Sequence, residues 1–387
     1  MRVEKLGNLV SITGGGTPDR SNPSFWGGDV PWVTVKDFKS LEITGATEHI
    51  TTAGLEGSAS NLIAAGAIIV PTRMALGKAA INTKPVAINQ DLKALRIVDP
   101  MVVDRDYLFR YLLSKSEYLE SQGKGATVKG ITLDVLRELD IPLPPKKEQQ
   151  RIATVLDKAD SLRRKRQEAI WLADEFLRAV FIDMFGDPVS NPKSWPTKAL
   201  GEVCSKIGSG ATPKGGDAAY KDEGVALIRS MNVRDGRFLW RDLARIDDEQ
   251  AMRLSNVVVE ENDVLINITG ASVARVCRAP REVVPARVNQ HVSILRPVGG
   301  LEAPFLEQLL LASSVKQQLL RIGEAGATRQ AITKAELEAF QIIVPPVQIQ
   351  ARFSRVQMKV TALVKKASES SVAGEKLSAS LQAQFFS

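Results

Sequence analysis

A short phrase near the first third of the chain returns far downstream. GATVKGIT at 125–132 comes back as GATRQAIT at 326–333, an offset of 201 residues. The text after it returns at the same offset: Leu136 with Leu337, Ile141 with Ile342, Pro144–Pro145 with Pro345–Pro346, Gln149 with Gln350, and Arg151 with Arg352. Upstream, LGNLVSITGGGTP at 6–18 answers LGEVCSKIGSGATP at 200–213, and Asn89–Gln90 answers Asn289–Gln290. Offsets there run from 194 to 200, so small insertions separate the copies, as loops tolerate. A repeat this long predicts two modules of one fold rather than one continuous domain. With 387 residues and 44% hydrophobic content, each copy can bury a core.

Each module divides into a mixed part and a helical part. In the first, VPWVTV (30–35), AIIVPT (67–72) and KALRIV (93–98) have strand composition, and 104–121 has helical spacing. In the second, VALIRSM, DVLINIT and HVSILRP are the strands and APFLEQLLLASSVKQQLLRI the helix. After each Pro-Pro the apolar positions step by three and four. They are Ile152, Val155, Ala159, Leu162, Arg166, Ala169, Ala173, Phe176 and Val180, each matched 201 residues later from Phe353 to Leu381. That register suits coiled-coil partners of roughly 55–60 Å. The centre of the seam is poor, with Arg166 and Ala169 in one helix and Ser370 and Gly374 in the other. Two independent surface helices are the alternative. FGDPVSNPKSWP (185–196) is a turn-rich linker. A chain-wide repeat with two such helices implies a pseudo-twofold molecule.

The net charge is +7, with a pI of about 9.3. A basic balance favours a polyanionic partner, nucleic acid above all, but also suits a basic soluble protein without one. Two cysteines and two histidines offer no zinc spacing and no disulfide framework, which fits a reducing compartment. MRVEKLGNLV lacks the apolar core of a signal peptide, and LIAAGAIIV at 62–70 is too short to cross a bilayer. The expectation is a cytoplasmic protein with no membrane contact, no metal and no cofactor.

Four features are candidates for chemistry. The Gly-rich GGGTP (14–18) and GSGATPKGG (208–216) match no nucleotide-binding pattern. They suit either plain turns or loops touching a nucleic-acid backbone through main-chain N–H groups, Thr17, Thr212 and Lys214. NPSF (22–25) resembles the Asn-Pro-Pro-Phe/Tyr signature of amino-methyltransferases, with Ser24 replacing the second Pro, and is equally a turn opener. RRKR (163–166) is a candidate phosphate contact, a partner contact or a solvated helix face. Finally, the interiors that differ between copies carry polar side chains. They are Lys36, Arg73, Lys78, Asn89 and Gln90 in the first, and Arg229, Asn232, Arg275, Arg278, Asn289 and Gln290 in the second. Arg reads guanine, and Asn or Gln reads adenine, in the major groove. Asn and Gln are also common turn caps. Lys129 and Arg329 sit in the repeated phrase as candidates for phosphate or partner contact.

Laid out this way, the chain resembles a specificity subunit of a type I restriction–modification system. The resemblance covers essentially its whole length. It rests on the order globular part, helix, globular part, helix, and on particular phrases. These are LGxL/V with GGGTP at the module starts, GAT followed by IT, the IPLPPKKEQQRI helix entry repeated as PP-x3-Q-x-R, and MFGDP at 184–188. The fold class it implies is α+β: two pseudo-twofold-related mixed α/β target-recognition domains joined by two long antiparallel coiled-coil helices. The corresponding segments are domain 1 at 1–145, spacer helix 1 at 146–186, domain 2 at 187–346 and spacer helix 2 at 347–387. The resemblance also implies a non-catalytic subunit that reads double-stranded DNA in two half-sites and docks two methyltransferase subunits, with restriction/translocase subunits joining them. Half-sites about 34–36 Å apart would face one side of the duplex, a span such helices can hold. The sequence runs to LSASLQAQFFS, so any contact that relatives make beyond that point is expected to be missing. A self-contained adenine methyltransferase using Asn22–Phe25 and a scaffold that reads no DNA are the competing expectations.

Overall fold

The computed structural model describes residues 2–386 apart from 126, 214, 216–218 and 325–329, with backbone alone at 369, 371–373 and 375–379. It contains two compact units. One comprises Met1–Arg166 with Ser370–Ser387, the other Gln167–Glu369.

The strand topology is written twice. In the first unit one sheet runs in the order Val10–Gly14, Leu92–Ile97, Ile68–Pro71, Ala80–Asn82, Glu42–Ile43. In the second unit the matching order is Cys204–Ser209, Val292–Pro297, Val264–Asn267, Val276–Arg278. A further four-stranded sheet is also repeated. It runs Glu48–Ile50, Trp26–Val33, Val86–Ile88, Leu62–Ile63 in one unit and Ala244–Ile246, Val225–Ile228, Ala286–Val288, Val258–Val259 in the other. Each holds one parallel pair, Trp26–Val33 with Val86–Ile88 and Val225–Ile228 with Ala286–Val288. The centre strands are runs of buried Ile, Val and Leu, as strands covered on both faces require.

The repeated phrase has a structural job. Ile131 N–H donates to the Thr72 carbonyl at 2.9 Å, and Ile332 N–H to the Ile268 carbonyl at 2.8 Å. Thr132 and Thr333 then stand at the N-caps of the short helices Leu133–Arg137 and Lys334–Ala339. Thr333 forms a reciprocal capping box with Glu336. In the second copy, residues 326–329 lie outside the described residues, so only its IT half is seen.

The helix that each sequence copy predicts after its last strand is in fact two. Arg105–Ser114 and Ser116–Ser121 break at Lys115, and Ala303–Leu311 and Ser313–Glu324 break at Ala312. The two long helices, Lys146–Phe185 and Val347–Phe386, have 40 residues each, about 60 Å. Just inside each start, a buried glutamine ties the helix to its own module. Gln149 accepts from Asp104 N–H at 2.8 Å and donates to the Val102 and Pro144 carbonyls at 3.0 and 2.9 Å. Gln350 accepts from Glu302 N–H at 2.9 Å and donates to the Gly300 and Pro345 carbonyls at 3.1 and 2.6 Å.

At its far end each long helix packs into the other compact unit, not the one in which it begins. In the first unit Phe386, 7% exposed, lies edge-on to Tyr107 and Tyr111 at 5.7 and 5.3 Å, beside Ile152 and Leu156. In the second unit Phe185 meets Phe305 at 4.8 Å and Phe353 at 5.8 Å. In each unit, then, the start of one long helix runs beside the end of the other, antiparallel.

The apolar seam is narrower than its spacing predicts. Ile152, Phe353 and Val360 are buried, but Leu162, Phe176 and Leu363 are 53%, 52% and 67% exposed. On the first helix the buried positions near the end are Leu177, Phe181 and Phe185, one residue out of the expected register. An untwisted α-helix drifts against a strict seven-residue repeat, so a face chosen at one end slips by the other. The weak centre is polar: Arg166 Nη1 donates to the Ser370 carbonyl at 2.8 Å, and a Cβ at Gly374 would come within 2.9 Å of that same nitrogen.

Gln149→Ala or Gln350→Ala leaves a buried N–H and two carbonyls without their partner. Each variant is expected to lose about 2–3 kcal/mol of stability in chemical denaturation, with a similar loss for either copy.

Candidate nucleic-acid interface

The mount of the repeated phrase also gathers polar side chains. In the first module, Arg73 bridges Gly130 through the backbone, and Met74 N–H donates to the Lys129 carbonyl at 3.0 Å. Arg73 points its guanidinium toward Asp91 at 3.8 Å and remains 63% exposed. Thr17 donates its hydroxyl to Gln90, bringing the Gly-rich loop to the same edge. Lys93 Nζ donates to the Gln90 carbonyl at 2.8 Å, and burial holds its pKa below the usual lysine value. Lys78 and Lys129 are exposed on this edge. Lys36 is exposed on the 3-10 turn Val35–Asp37, within the field of Glu48.

The second module repeats the frame with other side chains. Thr269 bridges Ala331 where Arg73 bridges Gly130, and Gly270 N–H donates to Gln330 at 2.9 Å where Met74 donates to Lys129. Thr212 donates to Gln290 as Thr17 does to Gln90. The position of Asp91 is taken by His291, which is hydrogen-bonded to Thr269 and Gln290. Arg275 is half-exposed. Lys214 and Arg329 lie outside the described residues.

Other expected readers are spent inside the fold. Asn232 is fully buried. It accepts from Arg229 N–H at 3.0 Å and donates to the Leu239 and Arg241 carbonyls at 2.9 and 3.3 Å. Asn89 and Asn289 are buried turn caps, accepting from Asp91 N–H at 3.2 Å and His291 N–H at 3.0 Å. Arg278 is paired with the buried Glu307 carboxylate at 2.7 Å. Arg229 donates to the Asp242 carbonyl at 2.6 Å and lies over the Tyr220 ring at 5.0 Å. Arg229 is only partly buried and its bond to Asp242 is at the surface, while the corrections at the three asparagines and Arg278 share one cause. Asn and Arg satisfy buried carbonyls and carboxylates as readily as they meet a base, and composition does not separate the two uses.

The Gly-rich stretches prove to be close approaches. A Cβ on Gly15 or Gly210 would stand 1.9 Å from the carbonyl oxygen of Ile88 or Val288. Gly16 donates to the Ile88 carbonyl at 3.1 Å and Gly210 to the Asn289 carbonyl at 3.1 Å, so these N–H groups are already committed. Asn22 of NPSF caps a 3-10 turn, accepting from Ser24 N–H at 3.1 Å. In RRKR, Arg163 and Arg164 pair with Asp160 at 2.8 and 3.2 Å, and Arg166 holds Ser370.

The sequence reading missed a cluster beside the first Gly-rich loop. Arg20 forms a forked pair with Glu48 at 2.5 and 2.9 Å and lies 3.8 Å over the Trp26 ring, which meets Trp32 edge-on at 5.1 Å. Only the two tryptophans in one short stretch could have signalled it. A cavity of about 670 Å³ lies elsewhere, against the first long helix, lined by Arg105, Arg110 and Arg164 with Asp106 and Asp157. Its charges nearly balance, so it is no obvious seat for a polyanion. Among the described residues no His, Cys, Asp and Glu group could hold a metal ion, and no helix is long and apolar enough to cross a membrane. Burial pushes both thiols up, Cys204 to about 12.

Asn232→Ala is expected to behave as a stability variant. It should cost about 1–3 kcal/mol in denaturant titration, because Arg229 N–H and two carbonyls lose their partner.

The model of the type I restriction modification DNA specificity domain matches residues 1–171 and 192–369. The MjaIX type I restriction enzyme specificity subunit of Methanocaldococcus jannaschii is 26% identical over 372 residues, 91% of this chain and 84% of that protein. The EcoR124I/EcoR124II specificity subunit of Escherichia coli is 33% identical over 164 residues, 41% of this chain and 40% of that protein. The fold is that of the type I restriction–modification S subunit from M. genitalium, with a TM-score of 0.65 at 16% identity over 98% of this chain and 94% of that one. A solved chain from work on complex assembly and conformational transition of the type I R-M system gives a TM-score of 0.55 at 21% identity, covering 100% and 97%. With both modules matched by the family model, the chain belongs to the type I restriction–modification DNA specificity family, as a specificity subunit rather than a catalytic one.

Proposed function

We propose that the chain reads a bipartite duplex target, with the module at 1–145 on one half-site and the module at 187–346 on the other, the long helices spacing them. The observation that carries this reading is a fold whose strand order is repeated between the units and whose equivalent edge positions differ in chemistry. Arg73, Asp91, Lys93 and Lys129 in one copy correspond in position to Thr269, His291, Ser293 and Gln330 in the other. Two copies of one scaffold with different polar edges suit two different DNA words. Thr17, Arg73, Lys78, Gln90 and Lys129 would contact the first half-site, and Thr212, Arg275 and Gln290 the second, with Lys36 toward phosphate. Phosphate contacts supply affinity and salt dependence, while base-edge contacts supply sequence.

The same reading has the chain dock two methyltransferase subunits, with restriction/translocase subunits joining the complex. An exposed apolar face supports docking. In the second unit Trp171, Leu172, Phe176 and Ile182 are all at least 45% exposed within one arc of the first long helix. Exposed patches of this kind mark protein contacts.

Exchanging residues 1–145 for the first module of another specificity subunit is expected to change one half-site of the methylated motif and leave the other. Mapping methylated bases genome-wide checks it, and an unchanged motif overturns the bipartite assignment. Trp171→Glu is expected to weaken assembly with methyltransferase subunits by about tenfold or more in a pull-down titration, with thermal stability unchanged.

A further inference from the structure

We propose that Met74 is an apolar base-contacting residue of the first module, a reader that the second module lacks. This rests on the DNA-reading assignment above and adds to it a residue and a type of contact.

Met74 adopts φ +68, in the left-handed region that L side chains rarely enter, and its side chain is 63% exposed. The position is fixed by the fold, and the side chain is not. Its counterpart in the second module, set by the same backbone bonds, is Gly270 at φ +70. Glycine takes that conformation freely, and a Cβ there would meet nothing within 4 Å. The turn therefore needs glycine's freedom in both copies. The first copy instead holds a long, flexible thioether at a strained position, projecting into solvent. Strain kept without a packing gain points to function at that atom.

Its surroundings select the ligand. Arg73 precedes it, and Lys129 accepts its backbone N–H. Lys78 lies in the same turn, closed by Lys78 N–H to the Ala75 carbonyl at 3.3 Å. Lys124 pairs through the backbone with Gly130, next to Lys129. Val128, 46% exposed, adds a second apolar side chain. The nearby carboxylate, Asp91, faces Arg73. An exposed apolar side chain on a turn and strand edge that also carry Arg73, Lys78, Lys124 and Lys129 suits a duplex, whose phosphates meet the cations while a thymine methyl or an opened base step meets the thioether. A protein partner docking through an apolar patch has no need of those cations.

The test uses the full chain assembled with its methyltransferase subunits and a randomised duplex library, from which the wild-type complex selects its motif. Met74→Gly relieves the strain, so it is expected to melt no lower than wild type. It should bind the selected duplex about tenfold more weakly and lose preference at one or two base pairs of the first half-site alone. Met74→Leu should retain most of that preference, and Gly270→Met should alter the second half-site only. An unchanged motif and affinity in Met74→Gly overturns the proposal while leaving DNA reading intact. So does a variant that selects the wild-type motif but assembles poorly with the methyltransferase, since the patch is then a protein contact. A wild-type complex that selects no bipartite motif overturns both readings.

Discussion

The fold depends on a buried carboxamide at the start of each long helix. Gln149 and Gln350 each satisfy one N–H and two carbonyls at the point where a globular module turns, through Pro-Pro, into 40 residues of helix. The Pro144 and Pro345 carbonyls precede the helix and lie outside its own hydrogen-bond ladder, and the carboxamide donates to them. A glutamine reaches both the turn and the entry to the preceding helix at Asp104 or Glu302. The start of each long helix is thereby held by three hydrogen bonds of one buried carboxamide. Loosening that joint would free the module from its spacer.

Around this joint the long helices are anchored by aromatic ends and left polar between them. Phe386 closes the core of the first unit and Phe185 that of the second, residues at the 201-residue offset. Between these ends, Arg166 bonding the Ser370 carbonyl replaces apolar packing. A seam made this way gains its stability at the modules. It leaves Trp171, Leu172 and Phe176 facing solvent.

Much of this was legible in the text of the chain. The offset of 201 residues located the entries to both long helices, and offsets of 194 to 200 located the strand frames, because similar sequence at similar spacing folds alike. The paired Thr17–Gln90 and Thr212–Gln290 contacts fall on residues the sequence singled out. The glycines of GGGTP were visible, but not the carbonyl of Ile88 that forbids any side chain at Gly15. Asn232, Asn89 and Asn289 have the right chemistry for adenine, and the interior claimed it instead. Leu162, Phe176 and Leu363 fit the seam by spacing alone, and the structure leaves all three exposed.

Sequence by itself determined that this is one fold written twice, that each copy launches a long helix, and that the two copies differ in polar side chains. Repetition and period are properties of the chain, and need no third dimension. Tertiary structure alone decided which of those polar groups face outward, that Gln149 and Gln350 are joints rather than surface residues, and that Met74 stands where Gly270 does. Each of these is set by which carbonyls and N–H groups a side chain finds within about 3 Å, a matter of neighbours brought together from distant parts of the chain.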